Sequence, residues 1–126
     1  MGVQQAVFLR SVIEIRTECG LVGLGESYGA ERTLTGLNKV AHTLIGLDPF
    51  CLHDLRQRVE AALPEGGGIN APTMLTDHKL TDVVYSAFEI PCLDIIGKKT
   101  DRRVCDLLGG AVREEVSFGG YLFYKF

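Results

Sequence analysis

The stretch DHKLTDVVYSAFEIPCLDIIGK, residues 77–98, decides how the rest of this 126-residue chain folds. Its apolar residues recur every three or four positions, as one face of a helix requires. This spacing predicts the longest helix of the chain, with a buried face made of Leu80, Val83, Val84, Ala87, Phe88, Pro91 and Ile95. Pro91 should kink the helix, because proline removes one backbone hydrogen bond and crowds the preceding turn.

Upstream of this helix the sequence predicts a β-hairpin. Residues 7–17 alternate in polarity, so that Val7, Leu9, Ser11, Ile13 and Ile15 share one face of a strand. Residues 18–20 predict a turn in which Gly20 takes a positive φ, and residues 21–26 return as the second strand. Glycines at 23 and 25 should allow another backbone to approach closely.

Two helices are predicted between the hairpin and the long helix. The first carries an apolar stripe formed by Leu34, Leu37, Val40, Ala41, Leu44 and Ile45. The second should begin with Asp48 as N-cap and Pro49 at its first position, and should bury Leu52, Leu55, Val59 and Ala62. The glycine-rich residues 64–72 then predict a mobile loop, which is either a lid over a site or a surface linker.

After the long helix, residues 104–108 predict a short helix that ends at a glycine cap, Gly109-Gly110. Residues 118–126, FGGYLFYKF, hold five of the ten aromatic residues and predict a strand that needs cover on both faces. We therefore expect the chain to be the front part of something larger. A hairpin, then helices, then one strand indicates the α+β class.

Composition excludes several classes of function. A formal net charge of −3 argues against a nucleic-acid partner, and no apolar run approaches the ~20 residues that cross a bilayer. The start lacks the features of a signal peptide, so the cysteines at 19, 51, 92 and 105 are interpreted as reduced thiols in the core of a cytoplasmic protein. Neither these cysteines nor the three histidines have the spacing of a zinc site.

The residues alone indicate few candidates for catalysis. The segment GLGES, residues 23–27, is no dinucleotide-binding motif, and the glycines at 66–68 are not followed by the Lys-Ser/Thr of a phosphate-binding loop. Glu89 is interpreted as a helix-face residue that satisfies backbone donors or an arginine, with catalysis as the less favoured alternative.

Three motifs together resemble the enolase superfamily. AFEIPCLDIIGK at 87–98 and VCDLLGG at 104–110 are similar to that family's A-I-E-x-A-L-x-D-x-x-G-K helix and its P-V-x-x-L-L-G-G segment. GLVGLGE at 20–26 resembles the second strand of its N-terminal capping domain. GYLFY at 120–124 resembles the entry to the barrel in glucarate dehydratases and related acid-sugar dehydratases. Asp101 and Arg103 depart from the usual Gly and Pro, and the capping domain's first strand has no counterpart.

The resemblance implies a two-domain enzyme, in which a capping domain covers a (β/α) barrel. It implies that residues 1–115 form the capping domain and 116–126 the first barrel strand. In such enzymes barrel residues bind Mg²⁺, a base removes the proton next to a carboxylate, and water is eliminated from a sugar acid. We expect this chain itself to hold neither the metal nor a catalytic residue, and to contribute closure over the substrate.

The resemblance also implies four substrate-binding residues. Tyr121 matches the tyrosine of the G-Y-L-F motif, with a core position in the barrel strand as the alternative. Thr73 and Thr76 lie where the family's second capping loop offers a threonine, and Gln4 lies near a family histidine. A homo-oligomer is expected, formed through the aromatic tail. The alternative function is a non-catalytic fragment or a small binding module that associates through the same tail.

Overall fold

The computed structural model describes residues 9–63 and 77–120. In chain order its elements are β1 (Arg10–Arg16), β2 (Val22–Tyr28), α1 (Glu31–Ala41), a short 3₁₀ turn (His42–Leu44), α2 (Leu52–Ala62), α3 (Asp77–Thr100) and α4 (Val104–Leu107). Two antiparallel strands followed by helices confirm the predicted α+β class. No helix in this part of the chain is long and apolar enough to cross a membrane.

The hairpin forms as predicted, with Arg10 opposite Tyr28 and Arg16 opposite Val22. Gly20 has a φ of +84° in the connecting turn, which confirms the need for glycine there. Along β1 every second residue, beginning with Ser11, is more buried than its neighbours. Within the described chain the strand begins at Arg10, and Leu9 is exposed; residues 7 and 8 of the predicted strand lie outside the described part.

The long helix α3 is at the centre of the fold and contacts both strands and the three other helices. It runs through Pro91 without a break, and whether it bends there stays a prediction. Its predicted face is confirmed at Val84, Ala87, Phe88, Pro91 and Ile95, whereas Leu80 and Val83 are half-buried. The core combines this face with residues from α1 and α2, namely Leu37, Val40, Leu55 and Val59.

The predicted apolar stripe of α1 is wrong at both ends. Leu34 and Ala41 are exposed, and Ile45 is 79% exposed because the chain leaves the helix after Ala41. The buried face includes Thr33 and Gly36, together with Leu37 and Val40. Small residues lie there because α3 crosses closely: a Cβ on Gly36 would lie 3.0 Å from Val84 Cγ2.

The predicted start of α2 is also wrong. The helix begins at Leu52, with Cys51 as its N-cap residue. Asp48 Oδ1 instead accepts a hydrogen bond from the Phe50 N–H at 3.0 Å, and the Asp48 carbonyl accepts one from Cys51 N–H at 2.9 Å. Asp48 therefore stabilises a separate turn, an arrangement that aspartate side chains favour.

Tight turns end α3 and α4. Gly109 and Gly110, with φ of +107° and +99°, confirm the predicted glycine cap after α4. Residues 111–120 lie outside helices and strands, and Phe118 is 94% exposed. Whether 116–126 form the first strand of a barrel stays a prediction, since residues 121–126 lie outside the described part.

Candidate functional site

All four residues predicted to bind substrate lie outside the described part of the chain. These are Gln4, Thr73, Thr76 and Tyr121. The glycine-rich residues 64–72, predicted to form a mobile loop, lie outside it as well. The structure describes the residues that border these segments, namely Leu9, Leu63, Asp77 and Gly120.

The N-terminal segment adjoins the start of α1. Leu9 is the first described residue, and its carbonyl accepts a hydrogen bond from Gly29 N–H at 3.0 Å. A Cβ on Gly29 would lie 2.7 Å from the Leu9 backbone, so the two chains touch. Gly29 in turn lies two residues before α1, which begins at Glu31.

Leu63 and Leu80, on either side of the segment that carries Thr73 and Thr76, lie at a hollow beside α1. A surface hollow of about 430 Å³ is lined by Glu31, Arg32, Thr35, Gly36 and Lys39 of α1, together with Leu63 and Leu80. Leu63 is the last described residue before the gap, and Leu80 lies in the first turn of α3 after it. This hollow, the α1 hollow, is the candidate functional site.

The α1 hollow suits an anionic ligand. Its wall carries two cations, Arg32 and Lys39, and one acid, Glu31. The N-cap residue Ala30 supplies no side-chain hydrogen bond to the first turn of α1, and a helix N-terminus attracts negative charge. Thr33 neighbours these residues in sequence but does not line the hollow; its hydroxyl is fully buried and, within the described chain, has no hydrogen-bond partner.

Sequence reasoning missed this hollow. Positions 32, 36 and 39 are spaced four and three residues apart, so they share one helix face. The spacing of these residues could therefore have indicated the hollow. The sequence analysis considered only the apolar stripe on the opposite face of the same helix. The hollow offers positive charge for binding, and among the described residues that line it there is no nucleophile with an adjacent base.

The two glycines of the G-x-G motif in β2 allow the strand to pack closely against α3. A Cβ on Gly23 would overlap the Pro91 carbonyl oxygen and lie 2.8 Å from Ile95 Cγ1. A Cβ on Gly25 would lie 2.7 Å from the Ala87 carbonyl oxygen. Only glycine lets β2 approach the backbone of α3 this closely, as the sequence predicted.

The acidic and basic residues of the α3 motif form hydrogen bonds with backbone groups of β2. Asp94 Oδ2 accepts hydrogen bonds from the Leu24 N–H at 3.1 Å and from Lys98 Nζ at 2.7 Å. Lys98 Nζ also donates to the Val22 carbonyl at 2.7 Å. The hydrogen bond from Lys98 is the main reason that the pKa of Asp94 is held below its ordinary value. We call Asp94 and Lys98 the edge clasp.

The structure also explains the last glycine of that motif, Gly97, and the two positions after it where this sequence differs from the family pattern. A Cβ on Gly97 would lie 2.7 Å from the Arg102 carbonyl oxygen, and the Arg102 N–H donates to the Gly97 carbonyl at 2.9 Å. Asp101 has a φ of +53° in this turn, a conformation that suits the family's usual glycine and that aspartate tolerates. Arg103, where the family has proline, donates to Asp106 at 2.9 Å.

Glu89 has a structural partner. Its Oε1 accepts a hydrogen bond from the Tyr85 hydroxyl at 2.9 Å, rather than from backbone donors or an arginine. Burial, together with this bond, raises the pKa of Tyr85 to about 12. The Arg56 guanidinium lies 4.9 Å from the centre of the Tyr85 ring. Glu89 is thus a helix-face residue, as the favoured interpretation had it.

Metal-binding residues do not gather in the described chain. No group of three or more His, Cys, Asp or Glu residues is placed there to hold an ion. All four cysteines are free, but only Cys92 is buried, which corrects the prediction that they lie in the core. Burial raises the pKa of the Cys92 thiol to about 11. The described residues therefore do not fit Mg²⁺.

Comparisons with known proteins agree with this architecture. Residues 2–109 match the sequence profile of the mandelate racemase / muconate lactonizing enzyme N-terminal domain. A probable glucarate dehydratase of Streptomyces coelicolor is 34% identical over 98% of this chain. A cis-3-hydroxy-L-proline dehydratase of Roseibium aggregatum is 32% identical over 88% of it.

Solved structures show the same fold. An enolase from Mycobacterium smegmatis complexed with tartrate is 44% identical, with a TM-score of 0.85 over 99% of this chain. An enolase from Pseudomonas fluorescens with bound magnesium, potassium and tartrate is 40% identical, with a TM-score of 0.84 over 93% of it. The chain spans about 30% of the length of the curated relatives and 29% of these two structures.

Proposed function

Because this chain belongs to the mandelate racemase / muconate lactonizing enzyme family through that family's N-terminal domain, we propose that it is the substrate-capping part of an acid-sugar dehydratase. The enzyme would remove the proton next to a carboxylate and eliminate water from a glucarate-like sugar acid. Its metal would be Mg²⁺, and the metal ligands and the base would lie outside the described residues.

The observation that carries this proposal is the 34% identity to a probable glucarate dehydratase over 98% of the chain. The second relative named above is also a dehydratase. Tartrate, bound in two of the similar structures, is a hydroxylated dicarboxylate, which is the chemical class of the proposed substrate. The four free cysteines support a cytoplasmic enzyme.

Within this chain, the α1 hollow would border the substrate. Lys39 would attract a carboxylate group, and the edge clasp would hold the hairpin on α3. Closure of a cap over a site excludes water and strengthens each electrostatic interaction inside it.

A second candidate is a non-catalytic module that associates through its C-terminal region. The observation that favours it is the exposure of Val112, Val116 and Phe118, apolar side chains in a stretch without regular structure. Such a module would oligomerise but would turn over no sugar acid in any context.

A chimera separates the two candidates. The corresponding N-terminal part of the Streptomyces coelicolor relative is replaced by this chain. Turnover with Mg²⁺ is then measured on glucarate, as formation of α-keto acid, and on cis-3-hydroxy-L-proline, as loss of the substrate. We expect turnover of glucarate. A folded chimera that acts only on the proline derivative contradicts the substrate class, and one that acts on nothing supports the non-catalytic module.

Lys39→Met in the chimera tests the α1 hollow. Removal of one binding cation should raise the KM for glucarate by about tenfold while kcat stays within about twofold, because the cation attracts ground state and transition state alike. Lys99→Met, which removes an exposed lysine elsewhere on the fold, is the matched control and should change neither constant. An unchanged KM in Lys39→Met would exclude the hollow from substrate binding.

A further inference from the structure

A cleft of about 740 Å³ lies where the tip of the hairpin meets α3 and the segment between α1 and α2. It is larger than the α1 hollow, and the four residues that border the undescribed segments are not part of its wall. Apolar side chains from all three elements line it, namely Ile15, Leu44, Leu47, Phe88 and Ile95. We call it the hairpin cleft.

The segment between α1 and α2 is shaped by two turns. Gly46 has a φ of +78°, and the Asp48 side chain accepts a hydrogen bond from the Phe50 N–H at 3.0 Å. These turns leave two large apolar side chains at the rim of the cleft, because Ile45 is 79% and Phe50 is 52% exposed. Binding pockets for small molecules are concave, mostly apolar and formed before the ligand arrives, and the hairpin cleft has these features.

The wall carries two cations and three carboxylates, and one of the cations is available to a ligand. Glu14 is paired with Arg16, and the Asp48 carboxylate is engaged in its own turn. Glu18 is the third carboxylate. Lys99, in the last turn of α3, forms no ion pair with a described residue.

The Cys19 thiol shows where the charge of Lys99 acts. This exposed thiol lies 3.2 Å from the Thr17 hydroxyl, and their hydrogen bond is the main reason that the pKa of Cys19 is lowered. Lys99 lowers it further and is the only charged group among the main causes of the shift. The cation therefore dominates the end of the cleft beside Cys19, and this end suits an anionic group.

We propose that the hairpin cleft binds a monocarboxylate with an apolar body, which lies against the apolar wall while its carboxylate pairs with Lys99 beside Cys19. A sugar acid does not suit this wall, because its hydroxyl groups would lose hydrogen bonds to water and find few partners there. The cleft shares no lining residue with the α1 hollow, so this second site does not depend on the proposed capping function.

Alkylation of two cysteines tests the site, with decanoate as the probe. The 126-residue chain is treated with iodoacetamide, and the labelling rates of Cys19 and Cys51 are measured by mass spectrometry at decanoate concentrations below micelle formation. Bound decanoate covers Cys19 and should slow its alkylation by about fivefold or more. Cys51 is also exposed but does not line the cleft, so its rate should change by less than about twofold.

Lys99→Met tests the charge. The decanoate concentration that gives half of the protection, measured against the variant's own unprotected rate, should rise by about tenfold because one charged contact is lost. Decanol has the same chain without the charge and is the control. It should protect Cys19 at the same concentration in the variant and in the original chain.

Ile45→Asp tests the position of the apolar body. It places a carboxylate at the rim of the cleft and should also raise the half-protection concentration by about tenfold or more. Val12→Asp is the matched control, because Val12 is 74% exposed and lies outside the cleft, and it should leave that concentration unchanged.

The comparison of Cys19 with Cys51 in the original chain does not depend on how any variant folds. Absence of protection at Cys19, or equal protection of both cysteines, would overturn the proposal. A folded Lys99→Met variant that binds decanoate as tightly as the original chain would overturn it as well.

Discussion

The two strands of the hairpin are the same length and pair along their whole length, yet their surroundings differ sharply. β2 lies on α3 so closely that only glycine fits at two positions, and its outward backbone groups bond to the edge clasp. No strand of the described chain other than β2 pairs with β1, and Val12 at its centre is exposed. The motif residues that resemble a known family therefore lie mostly on the β2–α3 side, where they hold the fold together.

The largest effect is expected from Gly23→Ala. Its new Cβ overlaps the Pro91 carbonyl oxygen, which belongs to helix backbone and cannot rotate away. Overpacking of this kind should lower the free energy of unfolding by about 3 kcal/mol. Urea denaturation followed by circular dichroism measures it. Gly119→Ala is the control, because a Cβ there meets nothing within 4 Å. A similar loss of stability in both variants would contradict the close contact between β2 and α3.

Asp94→Ala should have the next largest effect. The substitution leaves the Leu24 N–H without its acceptor and removes the partner of Lys98. Hydrogen bonds to a charged group contribute about 2 kcal/mol, so the free energy of unfolding should fall by that amount. Glu60→Ala breaks an exposed ion pair with Arg56 on α2 and should cost about 0.5 kcal/mol or less. Equal costs would mean that the clasp is an ordinary surface pair.

The cost of Asp94→Ala should depend on pH. The folded protein lowers the pKa of Asp94, so its carboxylate stabilises the fold above the ordinary aspartate value of about 3.9. That contribution is lost as the pH falls through the lowered pKa of the folded state. Urea denaturation of both proteins should therefore show a smaller difference at about pH 3 than at about pH 7. If the stability difference between the two proteins were larger at pH 3 than at pH 7, the Asp94 carboxylate would not stabilise the fold in the way described.

The smallest effect is expected on the exposed face of β1. Val12→Ala, measured at a concentration where the protein is monomeric, should change the free energy of unfolding by no more than about 0.5 kcal/mol, because the side chain is exposed. Ile13→Ala on the opposite face of the same strand, which packs against the core, should cost distinctly more. A larger cost at Val12 than at Ile13 would mean that the strand faces the other way.

Periodicity predicted the parts of the fold that depend on a long, regular pattern. The buried face of α3 and the alternation in β1 follow directly from spacing, and the turn at Gly20 follows from its conformational freedom. The same reasoning failed at α1, where Thr33 and Gly36 are buried. Hydrophobicity does not reveal small residues that are needed because another helix crosses closely.

The candidate site was the least predictable part. The substrate residues came from resemblance, and all four lie outside the described residues. The edge clasp joins residues 22 and 24 to residues 94 and 98, and such distant pairs are not visible in sequence spacing. The positive φ of Asp101 likewise shows only in the structure.

The most direct test is an activity measurement on the purified 126-residue chain. It is incubated with Mg²⁺ and a panel of sugar acids that includes glucarate, and α-keto acid is measured beside the active chimera as positive control. Since the described residues contribute packing and a binding hollow but no metal ligands, we predict no turnover by the chain alone. Formation of α-keto acid that depends on Mg²⁺ and on this chain would contradict its assignment as a cap that relies on other residues for the chemistry.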